Sequence, residues 1–222
     1  VTVVDPDLRV ERALLREGVR YVIGCDEVGR GAIAGPVAVG IAVIEVGVRP
    51  APVGLRDSKL LSEKRREELA PRAADWATFS AVGLASADEV DREGIMVGLA
   101  RAAQRALEQA SVAGLALDEA IVLLDGKHDW LTAGVPAPPR VRTRIKADRD
   151  CASVAAASVV AKVHRDRLMI EADGVHPGYG WSGNKGYASA DHYAAIDMLG
   201  PSPMHRHSWL RERSTPTLFD IA

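Results

Sequence analysis

Cysteine is nearly absent from this 222-residue chain: Cys25 and Cys151 are its only two, far apart and in no C-x-x-C arrangement. That excludes a disulfide framework and a zinc knuckle, and two buried reduced thiols are expected. Positive charge is not in excess either, because 28 Lys and Arg stand against 30 Asp and Glu, a net charge of -2. The total therefore does not mark a simple polyanion binder, and the distribution of charge must carry that question. No apolar run approaches the roughly 18 residues of a membrane span. No basic segment followed by an apolar stretch and a cleavage site opens the chain, so a soluble, cytoplasmic protein without membrane contact is expected. The histidines form no H-E-x-x-H pattern, and His164, His192, His205 and His207 read as surface or capping residues. There is no internal repeat and no low-complexity tract.

What is present is a chain of 47% apolar residues, enough for one substantial core, read as a single domain over 1–222. Its most informative stretch is Tyr21-Val-Ile-Gly-Cys-Asp-Glu-Val-Gly-Arg-Gly31. The β-branched and aromatic start reads as a buried strand, and the glycines mark a sharp turn or a close approach at its end. Asp26 and Glu27 thus stand at a strand end, where two adjacent carboxylates repel unless protonated or bridged. A divalent metal site is the simplest resolution. Adjacent residues on a regular strand face opposite sides, so sharing one site calls for a bend, which the glycines permit.

The flanking chain reads as alternating helices and strands. A capped amphipathic helix follows Asp5-Pro6 and closes at Gly18, within an N-terminal segment of about 1–20. Strands are expected over 37–44 and 78–84, with a charged helix capped by Ser62 running to about Trp76 and interrupted at Pro71. Ser86-Ala-Asp-Glu89 fits a capping box, and the helix it starts breaks near Gly94 and resumes to Ala110. Such a crossover lays strand 120–124 parallel to the first strand and brings Asp125 near Asp26. In Arg140-Val-Arg-Thr-Arg-Ile-Lys146 an extended strand would align Arg140, Arg142, Arg144 and Lys146 on one face, pointing toward Asp148. Helix 151–171 follows, its Ala155-Ala-Ala-Ser158 run small enough for close packing. A Gly- and aromatic-rich stretch over 174–186 reads as an irregular loop. Taken singly, Asp125 is an ordinary turn residue and Asp148 a helix N-terminal charge; with Asp26 and Glu27 they make a set of four oxygen donors for hard cations.

The sequence resembles the bacterial ribonuclease HII family, type 2 ribonucleases H. The likeness rests on Asp26-Glu-Val-Gly-Arg-Gly31, Ala34-Gly-Pro-Val37, Asp57-Ser-Lys-Leu-Leu-Ser62, Leu124-Asp-Gly126, Lys146-Ala-Asp148, 155–167 and Asn184-Lys-Gly-Tyr187, in one order along most of the chain. It implies an α/β, ribonuclease H-like mixed five-stranded sheet flanked by helices, with a C-terminal helical and loop extension over about 174–222 that carries Tyr187. It implies catalysis and metal binding by Asp26, Glu27, Asp125 and Asp148, with two Mn2+ or Mg2+ ions and Asp26 between them. The implied activity cuts the RNA strand of RNA–DNA hybrids and single ribonucleotides in duplex DNA, leaving 3′-hydroxyl and 5′-phosphate ends, and serves ribonucleotide removal. Gly29, Arg30, Gly31 and Tyr187 would recognise the ribonucleotide. Ser58, Lys59, Lys146, Lys162, Arg165 and Lys185 are candidate substrate contacts, with Ser153 and Asn184 as lesser ones. Two departures stand out: Ala147 replaces the usual glycine, and Asp150 adds an acid. Thr217-Leu-Phe219 resembles short sliding-clamp-binding peptides, though simple docking of the tail explains it as well, and a monomer is expected. Two other readings stay open, a ribonuclease H-fold DNA nuclease or resolvase and a non-catalytic nucleic-acid-binding module.

Overall fold

The computed structural model describes residues 5–210. Five strands, β1 (Tyr21–Val28), β2 (Val37–Glu45), β3 (Phe79–Ala85), β4 (Ala120–Asp125) and β5 (Arg140–Arg144), form one sheet in the order β3-β2-β1-β4-β5. β1 pairs antiparallel with β2 and parallel with β4, β2 pairs antiparallel with β3, and β4 pairs parallel with β5. This is the mixed five-stranded sheet expected from the sequence. The helices are α1 (Arg9–Arg16), α2 (Glu63–Trp76), α3 (Ala87–Glu93), α4 (Ile95–Val112), α5 (Ala147–Asp150), α6 (Ala152–Val175), α7 (Trp181–Asn184) and α8 (Ala190–Leu199).

Alternation along the strands feeds two cores. Val37, Val39, Ile41 and Val43 of β2 pack with Leu99, Ala102, Ala103 and Ala106 of α4, while Ala42 and Ile44 join Val154, Ala155 and Val159 of α6 on the other face. The α6 layer sits unusually close, because a Cβ at Gly24 would lie 2.2 Å from the Ser153 carbonyl carbon and one at Gly40 2.4 Å from Ala157 O. Only glycine admits the helix backbone there, and the run of small residues on α6 completes the fit. Asp26 pairs with Gly40 and therefore faces this helix.

Helix ends follow the capping chemistry read from the sequence. Ser62 caps α2, and Ser86 with Glu89 forms a full capping box on α3. The first turn of α6 has no cap from Cys151 and is served from a distance: Glu11 Oε1 accepts from Ser153 N and Ser153 Oγ, both at 2.9 Å. Ser153 is thus spent inside the fold and is no substrate contact. Both thiols are buried, as expected.

Several expectations need correction. α2 runs unbroken through Pro71. Its Leu69, Ala70, Ala73 and Trp76 are buried, and Trp76 donates from Nε1 to Arg49 O at 2.9 Å, so packing on both sides of the proline outweighs one lost backbone bond. α6 continues to Val175 and α7 interrupts the supposed loop 174–186. β5 ends at Arg144; Arg140, Arg142 and Arg144 are exposed on one face, but Lys146 lies past the strand in a left-handed conformation with φ 60°. His192 and His205 are not surface residues. They are buried beside Trp181 and Tyr179, with Nε2 atoms 3.1 Å apart, and His192 Nε2 accepts from Trp181 Nε1 at 3.0 Å. Burial, then the neighbouring His192, pushes His205 down to about 4. The clamp-like Thr217-Leu-Phe219 lies outside the described residues. Among those described, no helix is long and apolar enough to cross a membrane.

Candidate active site

β1 keeps regular pairing through Val28, with Asp26 opposite Gly40 and Glu27 opposite Val39. The bend expected at this point does not occur, and the chain turns only at Gly29, φ +83°. Asp26 and Glu27 therefore leave the strand on opposite faces, but at the strand end both remain within electrostatic reach of Asp125, so no bend is needed for them to act on one site. Asp26 is 3% exposed and is hydrogen-bonded by Ser158, whose hydroxyl lies 2.9 Å from that of Ser58. Ser158 thus links Asp26 to Ser58, and Asp26 Oδ1 also accepts from the Glu27 N–H at 2.9 Å. Glu27 meets Arg30 Nη1 at 3.4 Å through Oε1, and its Oε2 is buried with no hydrogen-bond partner.

The parallel register of β1 with β4 aligns Cys25 with Leu124, so Asp125 ends β4 level with Asp26. Its Oδ1 accepts from the N–H of Ala147 at 2.7 Å and that of Asp148 at 3.4 Å, which ties the start of α5 to the strand end. Asp148 is buried, with Lys59 Nζ 3.7 Å from its Oδ2.

These four acids share one electrostatic field. Burial, with the charges of Glu27 and Asp125, raises Asp26 to about 8 against the pull of Ser158 and Lys59. Burial, then Asp125 and Asp57, raises Asp148 to about 6. Glu27 is raised by burial and by Asp125, with Arg30 opposing. Lys59 loses basicity by burial but gains more from Asp26, Asp57, Asp148 and Asp125, and ends above its ordinary value. Among the described residues, no three His, Cys, Asp or Glu side chains stand as a ready clasp for a metal ion. The donor set nevertheless fits hard divalent cations: it is all oxygen, it includes a buried Glu27 oxygen that nothing satisfies, and the charge of Asp125 helps raise Asp26, Glu27 and Asp148.

Beside the acids lies the glycine loop. A Cβ on Gly29 would fall 2.1 Å from Arg165 Nε, so this glycine makes room for a protein side chain. Gly31 is exposed, and a Cβ there would meet nothing within 4 Å. Arg30 is exposed as well. Tyr187 is half-buried, with its ring 5.4 Å from the Arg165 guanidinium and 5.6 Å from Lys162 Nζ, and its carbonyl is 2.9 Å from His192 Nδ1.

Several basic candidates have other occupations. Arg165 is fully buried and donates to Pro36 O, Lys185 O and Ala34 O, so it is not open to a phosphate. Lys185 is 7% exposed, donating to Ser182 O and standing 3.5 Å from Glu63. Lys162 pairs with Asp166 at 2.6 Å, and Ser58 is buried in the hydroxyl chain. Asn184 donates to Tyr179 O and accepts from Gly186 N. Lys59, Arg30 and Lys146 remain accessible. Asp150 is paired with Arg144 at 2.6 Å, which offsets its added charge.

Sequence reasoning missed Ser158 and Arg206. The small-residue run on α6 signalled contact with the strand, but not that a hydroxyl would meet Asp26. Nothing in a sequence separates a buried arginine from a solvated one.

A mixed sheet in the order β3-β2-β1-β4-β5 between helical layers, with carboxylates at neighbouring strand ends, has the architecture of the ribonuclease H-like proteins. Solved structures agree: the ribonuclease H2 of Pyrococcus horikoshii OT3 matches with a TM-score of 0.62 at 26% identity, over 85% of this chain and 93% of that one. RNase HII of Archaeoglobus fulgidus, solved as a complex with PCNA, shares the fold with a TM-score of 0.65 at 24% identity, over 90% and 99%. The ribonuclease HII family model matches residues 23–212. Ribonuclease HII of Streptomyces coelicolor is 49% identical over 92% of this chain and 83% of its own, and a ribonuclease HII of Thermus thermophilus is 42% identical over 96% and 97%. The chain belongs to the ribonuclease HII family and is a metal-dependent endoribonuclease with ribonuclease H activity on RNA–DNA hybrids.

Proposed function

We propose that Asp26, Glu27, Asp125 and Asp148 hold two Mg2+ or Mn2+ ions, and that the enzyme hydrolyses the RNA strand of hybrids and single ribonucleotides embedded in duplex DNA. The products carry 3′-hydroxyl and 5′-phosphate ends, and the use is ribonucleotide removal. The observation that carries this is the convergence of acids from β1, β4 and α5, in which the charge of Asp125 acts on Asp26, Glu27 and Asp148, with a Glu27 oxygen buried and unsatisfied. Bound there, the ions supply an activated water and neutralise charge on the leaving oxygen.

The chain's own residues hold and orient. Ser158 fixes Asp26, and the N–H groups of Ala147 and Asp148 fix Asp125. Lys59 lends positive charge at the mouth of the site, and Arg30 is free to turn from Glu27 to a phosphate. The backbone around Gly31 approaches the 2′-hydroxyl, the group that separates RNA from DNA, and Tyr187 stacks on the neighbouring sugar. All of this lies in one catalytic domain whose C-terminal segment brings Tyr187 to the sheet. A sliding-clamp contact through Thr217-Leu-Phe219 would disappear on deletion of residues 214–222.

The test is a duplex with one ribonucleotide beside an all-DNA control, in Mg2+ or Mn2+. Cleavage confined to the ribonucleotide duplex is expected. Cleavage of both would make the protein a DNA nuclease of this fold, and binding without cleavage a non-catalytic module.

A further inference from the structure

Arg206 is fully buried and forms no salt bridge among the described residues. Burial, then the charge of Arg165, lowers it to about 10, which leaves it protonated at neutral pH. A charge in that position persists only if every donor is used well. All of its bonds go to backbone carbonyls of one loop: Nη2 to Gly29 O at 2.8 Å, Nη1 to Arg30 O at 3.0 Å, and Nε and Nη2 to Gly35 O at 3.2 and 3.1 Å. Trp209 covers the guanidinium at 4.9 Å. The backbone makes the same connection, with Arg206 N donating to Ile33 O at 2.8 Å and Gly35 N to Met204 O at 2.7 Å.

A trans peptide is planar, with its C=O and the following N–H on opposite sides. Drawing the Gly29 and Arg30 carbonyls inward onto Arg206 therefore turns the N–H groups of Arg30 and Gly31 outward. Neither N–H has an acceptor among the described residues, and both residues are exposed. The space over Gly31 is open to 4 Å, so an incoming sugar meets donors and not a side chain. A cation on the carbonyl end also polarises the peptide and strengthens its N–H as a donor.

We propose that Arg206 is a positioning residue that sets ribose discrimination: by clamping the carbonyls of Gly29 and Arg30, it presents two adjacent peptide N–H donors to the 2′-oxygen and the adjoining phosphate. This rests on the reading of Gly29-Arg30-Gly31 as the ribonucleotide reader. It also assigns a function to the C-terminal segment, which holds the loop in register from outside the sheet.

The test compares Arg206→Lys with the unmodified full-length chain, because lysine keeps the charge and cannot span three carbonyls at once. Affinity is measured in Ca2+ for two duplexes identical except for one ribonucleotide or deoxyribonucleotide. The ratio of the two affinities cancels any loss of folded protein. It is expected to shrink by about tenfold, the worth of one or two well-placed hydrogen bonds, with Mn2+ binding unchanged. An unchanged ratio overturns the proposal. If Arg206→Lys does not fold, amide exchange on the unmodified chain decides: the Arg30 and Gly31 N–H groups should exchange freely alone and slow with the ribonucleotide duplex but not with DNA. Slow exchange in the free protein, or no slowing with the ribonucleotide, overturns it. A wild-type chain with no ribonucleotide preference at all would remove the underlying reading as well, whereas a preference that Arg206→Lys leaves intact removes only this inference.

Discussion

Asp26 carries the largest electrostatic load of any single residue in the site. Its carboxyl is raised to about 8 in the folded chain, well above its ordinary value, first by burial and then by Glu27 and Asp125. A raised acid favours the folded state while protonated, so its contribution is full below pH about 4 and is lost as pH rises through about 8. His192 and His205 are lowered and act in the opposite sense, but over the acidic side of their ordinary value. Between pH 7 and 8, Asp26 therefore dominates. Thermal melts in chelator should show the protein losing roughly 1 kcal/mol across that unit, a few degrees in Tm, and Asp26→Asn should flatten the dependence. Excess Mn2+ should offset the loss, because cations favour the ionised carboxylates; a melting temperature independent of pH in chelator would refute the account. Asp125→Asn keeps an acceptor for the Ala147 N–H and removes the charge, so folding should survive while turnover falls at least about a hundredfold. Single-turnover cleavage measures it.

Among the elements, α6 is the one on which the site depends, since it supplies Ser158 to Asp26 and Arg165 to the glycine loop. Its N-terminus is held by Glu11 from α1. Glu11→Ala would leave the Ser153 N–H and hydroxyl without their acceptor inside the core and should cost about 1 to 3 kcal/mol, read by denaturant unfolding. Glu11→Gln, which can still accept, should cost less; equal losses would mean that the cap contributes nothing. This helix also shows what the sequence made legible. Its small residues announced close packing, and the β-branched runs announced the strands beside it, because both signals depend on local periodicity. The capping serines were readable for the same reason. Pro71 misled because tertiary packing decided a local question, and the depth of His192 and His205 was hidden because neither histidine carries a period. The acids were legible as a group, since carboxylates at the ends of two neighbouring strands have few structural uses. Arg165 and Arg206 were not, because their partners are backbone carbonyls, which every residue has.

Over the whole molecule, the net charge of -2 has to be reconciled with a polyanionic substrate. Most basic side chains near the acids are already engaged. Arg142 pairs with Glu17 at 3.5 Å, Arg144 with Asp150 at 2.6 Å, Arg149 with Asp57 at 3.5 Å and Lys59 with Asp148 at 3.7 Å. Arg140 and Lys146 have no carboxylate partner among the described residues, and Arg30 has only a long contact with Glu27 at 3.4 Å. A phosphate that binds a cation already paired must displace a carboxylate, so the release of counterions gains less there than at a free lysine. Few phosphates are then neutralised, and the logarithm of the association constant should fall against log salt with a slope of about -2 to -4, given about -0.9 per phosphate on a B-form duplex. Titrating hybrid duplex in Ca2+ from about 50 to 200 mM salt measures this slope. A value steeper than about -6 would overturn this account. Arg140→Ala should make the slope shallower by about one phosphate and leave the ratio of ribonucleotide to deoxyribonucleotide affinity unchanged, because Arg140 lies on the β5 edge, away from the glycine loop that we propose sets that ratio.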